Sequence, residues 1–394
     1  MWIKRDFEQY IQSLGGLPIK ILKGPRQVGK TALLTHTRMG MVVYFDDSAT
    51  RRFAAENPRA FLDQYQGPLI LDEATLVPDL FLELKRRVDE HRRDKAKGLA
   101  PDYWITGSNQ TLLQKQVRES LAGRASYFDL NTLSIHELGQ FDPANFYFRG
   151  GWPQLNIGED LDPSRYLNDL ISTFIEKDIV AAAGIERKAS FSKALGLIAG
   201  RVGQLFNASD IAVSCGVSVT TIQSWVALLE ENGILRVLYP YASNVNTRLT
   251  KAPKVFFEDV SIATRLQGWS EFKPLMVSPY LGNLFENCVL SEICRFFTNR
   301  GDKPKVEYLR TKEKTEIDFL VTLSNQRHLA IEAKVTPVSL GRDAEKLLQS
   351  VKPELNIVES WVVSPTQLES RLSNAKNVGI ENLWEEIARL EART

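Results

Sequence analysis

The sequence predicts an α/β chain of several modules, and three observations carry that prediction. The run Gly24-Pro25-Arg26-Gln27-Val28-Gly29-Lys30-Thr31 follows a short apolar strand, Ile19 to Leu22, and opens a helical run, Ala32-Leu33-Leu34. Further apolar runs end in polar residues: Met41 to Asp47, Pro68 to Glu73 and Tyr103 to Asn109. Such runs read as buried parallel strands, with the chemistry at their C-terminal edge. Past residue 163 the pattern becomes largely helical, and a second set of strand-like runs appears after residue 300.

At 394 residues the chain exceeds the usual single-domain size. The expected modules are 1–140, 141–278 and 279–394, with a Gly-Pro-Asn-rich linker zone at 139–163. Hydrophobic residues make up 43% and charged residues 25%, which leaves ample material for several cores. Lys+Arg 49 against Asp+Glu 48 leaves no global field to attract polyanions, so any nucleic-acid contact must come from local patches. Cys215, Cys288 and Cys294 lack metal-type spacing and suit a reducing compartment. The start, Met-Trp-Ile-Lys-Arg-Asp, lacks a signal-peptide apolar stretch, and no 18 consecutive residues are apolar. The expectation is a cytoplasmic protein without a membrane partner.

Residues 2–14 carry Trp2, Phe7, Tyr10, Ile11 and Leu14 on a roughly helical period, and Pro18 separates them from the first strand. The Gly24-to-Thr31 run is a phosphate-binding loop in its required context of strand, loop and helix. Gly24 and Gly29 let backbone N–H groups turn inward, with Pro25, Arg26, Gln27 and Val28 forming the loop between them. The following helix adds the positive end of its dipole. Lys30 is placed to reach the β/γ-phosphates and the Thr31 hydroxyl to hold Mg²⁺, so the expected cofactors are ATP and Mg²⁺.

A helix containing Arg51 to Glu56 is expected to end at Asn57-Pro58. Pro68 to Glu73 then delivers two acids at a strand end. Downstream of a phosphate loop, Asp72 is expected to hold Mg²⁺ and Glu73 to activate the attacking water. Leu80, Phe81, Leu84 and Val88 mark an amphipathic helix. Ser108 or Asn109, after the next strand, is placed to sense the γ-phosphate, against a plain turn as the alternative. Arg124, beside Gly123, is a candidate arginine finger.

The combination GPRQVGKT, LILDE, WITGSN and SLAGR resembles a family of bacterial and archaeal AAA-type ATPases. In that family the ATPase core is fused to a C-terminal region known only as a domain of unknown function. The resemblance covers nearly the whole chain, with FRGGWP (148–153) near the junction. It implies an ATPase core with Arg124 as the finger. A finger most naturally serves a neighbouring subunit, so a homo-oligomer is expected, a hexameric ring among its forms.

In the middle region a helix begins around Asn207 to Ala212 with Ser209 as its expected cap, Cys215 to Ser218 forms a turn, and Val219 to Glu231 forms a second helix. This is a helix–turn–helix layout. The second helix is expected to bury Ile222, Val226 and Leu229 and to present Thr220, Thr221, Gln223 and Ser224 to DNA. Strands at 234–241 and 254–257 would form a wing, with Arg248 and Lys251 on phosphates. A winged helix used only for protein packing is the alternative, since the second helix carries no Arg or Lys.

In the last third, an apolar helix from Leu281 to Phe297 carries Glu286, and strand-like runs follow at 306–310, 316–321 and 328–335. Residues two apart on a strand share a face, so Glu332 and Lys334 are expected together, with Asp318 on a neighbouring strand. Asp318, then Glu332-x-Lys334, with Glu286 as a fourth group, resembles the PD-(D/E)xK nuclease core, although Ile317 replaces its usual proline. The resemblance implies carboxylates that hold Mg²⁺ and a lysine that prepares water. The alternative is a salt-bridged sheet edge. The fold class expected is therefore α/β: a P-loop AAA-type ATPase, a helical and winged-helix middle, and a PD-(D/E)xK nuclease-like end. The expected function is an ATP-hydrolysing machine that remodels or cleaves duplex or branched DNA, against a nucleotide-dependent switch that cuts nothing.

Overall fold

The computed structural model describes residues 2–14, 17–94, 100–107, 110, 111, 113, 120–158, 161–241, 252–310, 315–336, 345, 346, 348, 349, 355–367 and 375–392. A parallel sheet of β1 (Ile19–Lys23), β2 (Met41–Tyr44), β3 (Leu69–Asp72), β4 (Tyr103–Thr106) and β5 (Ala125–Asp129) forms the N-terminal module. Its order is β2-β3-β4-β1-β5. The strand carrying the phosphate loop is therefore separated from the acid-bearing β3 by β4. That order brings the ends of β1, β3 and β4 into one crevice at the C-terminal edge. Burial explains the strands: β1 and β4 are almost wholly enclosed, as parallel strands covered on both faces must be.

Helix α1 (Phe7–Ser13) is shorter than the periodicity suggests, because Trp2 leaves the helical path to stack on His36 at 4.1 Å. The phosphate loop runs into α2 (Lys30–His36). Asn57-Pro58 does not simply stop α3 (Ser48–Glu56); it also starts α4 (Pro58–Asp63). Asn57 accepts from Ala60 N while Pro58 takes the first helical position, where a missing N–H costs nothing. Helix α5 (Leu80–Arg93) buries Leu80, Phe81, Leu84 and Val88 against the sheet, as its period requires.

The stretch 139–163 is not a free linker. Helices α6 (Ile135–Leu138), α7 (Pro143–Arg149) and α8 (Pro153–Asn156) place Phe141, Phe146, Tyr147, Trp152 and Leu155 in the large core. That core runs from one face of the first sheet through the middle and C-terminal regions. Helix α9 (Pro163–Leu170) continues through a π-wound stretch, Ile171–Ile179, to Val180–Ala182, and α10 (Lys188–Ala199) follows.

Helices α11 (Ala208–Cys215) and α12 (Val219–Glu231) are bent by 107° to each other, the geometry of a helix–turn–helix. The cap of α11 is Asn207, which accepts from Ser209 N, rather than Ser209. β6 (Leu235–Leu238) and β7 (Lys254–Phe257) form an antiparallel pair beside them. After α13 (Val260–Leu266) and α14 (Phe272–Met276), the long α15 (Leu281–Thr298) leads to the last sheet. Its strands are β8 (Val306–Arg310), β9 (Glu316–Thr322), β10 (His328–Ala333), β11 (Ile357–Ser364) and β12 (Lys376–Gly379), in sequential order. β8, β9 and β10 pair antiparallel, and β10, β11 and β12 pair parallel. α15 and the final α16 (Leu383–Glu391) pack against one another and the sheet.

Candidate active site

The phosphate loop is built by two glycines with different tasks. A Cβ at Gly24 would lie 2.1 Å from the Leu130 carbonyl oxygen, so only glycine permits that approach. Gly29 has φ +90 and nothing near its Cβ position; there the requirement is the left-handed backbone that turns the loop into α2. Between them, Pro25 and Val28 are buried, and Arg26 and Gln27 are exposed. The Lys30 ammonium donates to the carbonyls of Gly24 and Pro25, both at 2.8 Å. Burial drives its pKa down to about 8, against the pull of Glu73 and Asp72. A buried ammonium held only by neutral carbonyls gains strongly from an anionic partner such as a phosphate oxygen.

Thr31 Oγ1 donates to Asp72 Oδ1 at 2.6 Å, and Thr106 Oγ1 donates to the same oxygen. The loop hydroxyl and the β3 carboxylate thus meet, as a shared hard cation such as Mg²⁺ requires. Glu73 directly follows β3 and has φ 55, ψ 37. A left-handed backbone at a non-glycine residue is strained, and such strain concentrates at functional sites. Here the turn carries Glu73 off the strand line just beyond the Thr31–Asp72 pair.

Two contacts to the loop went unread in the sequence. Gln110 is buried and donates from Nε2 to Gly24 O at 2.7 Å. Ser108 and Asn109, the expected sensors, lie outside the described residues. Buried Arg5 donates to Val28 O at 3.0 Å, to Asn131 O at 2.7 Å and to Glu137 at 3.0 Å. A polar residue soon after a strand end could have flagged Gln110. Nothing in the N-terminal sequence flags Arg5. Arg124 turns to its own chain, donating from Nε and Nη2 to Asp89 at 2.7 and 2.9 Å.

The end of α12 touches the loop. Asn232 Nδ2 donates to Thr111 Oγ1 at 3.1 Å, and a Cβ at Gly233 would lie 3.2 Å from Pro25 Cδ. A cleft of about 330 Å³, lined by Gly24, Pro25, Gln110, Glu231, Asn232 and Arg236 among others, lies between the loop and the middle region. Along α12, Thr220, Gln223 and Ser224 are exposed and Thr221 is partly so. Ile222, Trp225, Val226 and Leu229 are buried. Arg248 and Lys251 lie outside the described residues. A cavity of about 720 Å³, with Phe206, Val219, Val226 and Val255 in its wall, lies away from the phosphate loop, between α11–α12 and β6–β7.

The C-terminal acids gather, though not as the sequence implied. Asp318 Oδ2 accepts from Ala333 N at 2.9 Å, and Lys334, just past β10, pairs with Glu332 at 2.8 Å. Glu286 pairs instead with Lys254 of β7 at 2.8 Å, and the same ammonium reaches Glu316 at 2.5 Å. Among the described residues, no three His, Cys, Asp or Glu side chains stand ready to hold a metal. The expected Glu286–Asp318–Glu332 metal triplet is therefore not assembled here, because Lys254 takes the Glu286 side. Burial, then the charge of Asp318, pushes Glu286 up to about 8 and Glu332 to about 7. Burial also raises Asp318, against Lys254 and Lys334. Burial opposes the charge on Lys254, but Glu286, Asp318 and Glu316 outweigh it and raise its pKa. Glu332 Oε1 is buried without a hydrogen-bond partner. Such an orphaned acceptor in a crowd of carboxyls fits a cation.

Residues 17–139 match the model of an AAA domain family. Residues 141–273 and 281–383 match two domains of unknown function, DUF8612 and DUF4143. Uncharacterized proteins of Mycobacterium bovis and Mycobacterium tuberculosis are each 27% identical to the chain over 367 residues, covering 92% of it and 80% of their own length. Among solved structures, similarity is found to a Walker-type ATPase of Pyrococcus abyssi, at TM-score 0.40 and 16% identity, covering 66% of this chain and 94% of that one. Cdc6p of Pyrobaculum aerophilum follows at TM-score 0.24 and 14% identity, covering 63% and 87%. No single helix among the described residues is long and apolar enough to cross a membrane. The bent pair α11–α12 passes that test only jointly; its Ile211, Ile222, Trp225, Val226 and Leu229 are buried in the protein, while Val213 and Val219 are exposed. The match over residues 17–139 and the geometry of the loop support an AAA/P-loop ATPase family for the N-terminal module.

Proposed function

We propose that the chain is a Mg²⁺-dependent ATP hydrolase whose nucleotide state is passed to a DNA-binding helix–turn–helix module. The observation that carries this reading is the seating of the α12 end, at Gly233, on Pro25 of the phosphate loop. A phosphate loop in direct contact with a second module gives nucleotide binding a mechanical output. Lys30 would bind the phosphates, Thr31 and Asp72 would hold the Mg²⁺, and Glu73 would orient and activate water. The exposed polar face of α12, with β6–β7 as a wing, is the surface offered to DNA. Arg124, released from Asp89, would serve a neighbouring copy in a homo-oligomer.

On this reading the last sheet is PD-(D/E)xK-like. Cleavage of DNA would use Asp318 and Glu332 with Lys334, and Asp318→Ala would abolish Mg²⁺- or Mn²⁺-dependent cutting while leaving ATP hydrolysis near normal. A second reading, a switch whose C-terminal half binds without cutting, is favoured by Lys254 filling the Glu286 side of the acid set. The deciding experiment is ATP turnover with and without single-stranded, duplex and junction DNA, paired with cleavage assays on the same substrates. Stimulation with a steep salt dependence supports the DNA-coupled hydrolase. ATP turnover indifferent to every DNA, with no salt-dependent binding, overturns it. Stimulation without cleavage selects the switch.

A further inference from the structure

The acid cluster of the last module already contains a cation supplied by another module. Lys254 opens β7, 32 residues before Glu286, and its side chain is almost wholly buried. Its ammonium bridges Glu286 on α15 and Glu316 on β9, at 2.8 and 2.5 Å. It also stands 5.6 Å from the Tyr308 ring, whose hydroxyl donates to Ala252 O at 2.7 Å and so anchors the start of β7. Tyr308 further exchanges backbone bonds with Tyr239 and Tyr241, which fastens the exit of β6 to β8. The middle region therefore presses one lysine into the acid set through a backbone clamp.

Among the described residues, the acids of the set outnumber the cations that face them. Glu286, Glu316, Asp318 and Glu332 face Lys254, Arg310 and Lys334. Glu332 Oε1 is buried without a hydrogen-bond partner among the described residues. Buried acids in excess of their cations gain from one more positive charge. Yet the Glu286 end, where the fourth acid of a metal site would act, is held by the ammonium. Withdrawing Lys254 would free Glu286 to join Asp318 and Glu332, to which its charge is linked through Asp318.

We propose that Lys254 is a tethered cation that closes the acid cluster, and that a divalent cation binds there in exchange for it. This rests on the reading of Asp318 and Glu332 as cation ligands. Lys254 is then a positioning residue for that site, and the β6–β7 hairpin is the element whose movement opens it. Ammonium and divalent cation compete for Glu286, while Glu316 serves to hold the ammonium, so removing the lysine tightens the site and retaining its charge does not.

The test is a Mn²⁺ titration of the full chain without nucleotide, read by the electron paramagnetic resonance signal of free Mn²⁺. It compares the parent, Lys254→Met, Lys254→Arg and Glu316→Gln, each with and without Asp318→Asn. Lys254→Met should tighten one Asp318-dependent site by roughly tenfold or more, a loss of competition worth about 1.4 kcal/mol or above. Glu316→Gln removes one of the two partners of the lysine and should tighten the site less; Lys254→Arg should leave it as in the parent. Should Lys254→Met fail to fold, the Glu316→Gln comparison decides. Equal, Asp318-dependent binding in the parent and both loosening variants overturns the tethered cation while leaving the metal site intact. Absence of Asp318-dependent Mn²⁺ binding in every variant overturns the cation-site reading, and the proposal with it.

Discussion

Gly233 lies against Pro25: a Cβ on the glycine would sit 3.2 Å from the proline Cδ, and the glycine backbone is left-handed at φ +70. The end of the second helix of the helix–turn–helix is thereby fitted to the phosphate loop, and neither residue can grow without moving the other. Gly233→Val should cost about 1–2 kcal/mol of stability from the left-handed backbone alone, and the crowding against Pro25 should act on the loop. Asn232→Ala removes the bond to Thr111 without touching that backbone. Both should change ATP affinity in the same direction, by roughly fivefold or more if the modules are coupled. Unchanged affinity in both, measured by calorimetry, would show the contact to be packing alone.

Lys30 predicts the pH dependence of nucleotide binding. Burial lowers its pKa to about 8 in the folded protein, below the 10.5 of a free lysine. Below pH 8 the ammonium is charged in both folded and unfolded chains, and the folded state carries the cost of burying it. Between 8 and 10.5 the unfolded chain binds more protons, so stability rises with pH. Bound phosphate raises the Lys30 pKa again. Binding should therefore take up a proton above pH 8, and ATP affinity should fall as pH rises through that range. Calorimetry at pH 8.5 in two buffers of different ionisation enthalpy measures the uptake. Lys30→Met should bind weakly and without it; equal uptake by Lys30→Met would assign the proton elsewhere.

What the sequence made legible follows from how local each constraint is. Gly24 and Gly29 answer to the backbone within a few residues, so the loop reads directly from spacing. Glu73 reads from its place after an apolar strand. The helix–turn–helix reads because Ile222, Val226 and Leu229 keep one helical face, and all three are buried. Local patterns mislead where one signal has two meanings. Pro58 both stops a helix and occupies the first position of the next, and Trp2 extends an apolar period although it leaves the helix to stack on His36. The segment 139–163 is rich in Gly and Pro yet buries Trp152 and Tyr147. The pairs that decide the sites are the hardest to read. Lys254 meets Glu286 across modules, and Arg5 meets Val28 O across 23 residues. Neither approach leaves a period, a cap or a spacing in the chain.

Hydrolysis should divide cleanly between binding and chemistry. Glu73→Gln keeps the loop, the Thr31–Asp72 pair and the shape of the side chain, but an amide cannot take a proton from water. ATP should bind normally and turn over roughly a hundredfold or more slowly, the usual range for a lost general base. Lys30→Ala should instead weaken binding, because the buried charge partner of the phosphates is gone. Equilibrium binding of labelled ATP beside steady-state phosphate release separates the two. Normal turnover by Glu73→Gln would move the water-activating role to another residue.

Arg124 makes the strongest demand on assembly. Its guanidinium is held two-pronged by Asp89 on α5 of the same chain, with a third bond to Ala122 O at 2.8 Å. An arginine so placed stabilises its own fold only modestly, since solvent screens an ion pair this near the surface. Acting as a finger, it would have to exchange Asp89 for the charge developing on a transferred phosphoryl group, a contact worth roughly 10³ or more in turnover. The two roles separate in mixtures. Lys30→Ala subunits bind ATP weakly but carry an intact Arg124; Arg124→Ala subunits bind ATP but lack the guanidinium. If the finger serves a neighbour, combining these two inactive proteins should restore measurable ATP turnover, highest near equal amounts, because some interfaces then join an intact loop to an intact arginine. Asp89→Ala should remove the competing partner and raise parental turnover at low protein concentration. No rescue at any ratio, with a mass in ATP that stays that of one chain, would confine Arg124 to its pairing with Asp89.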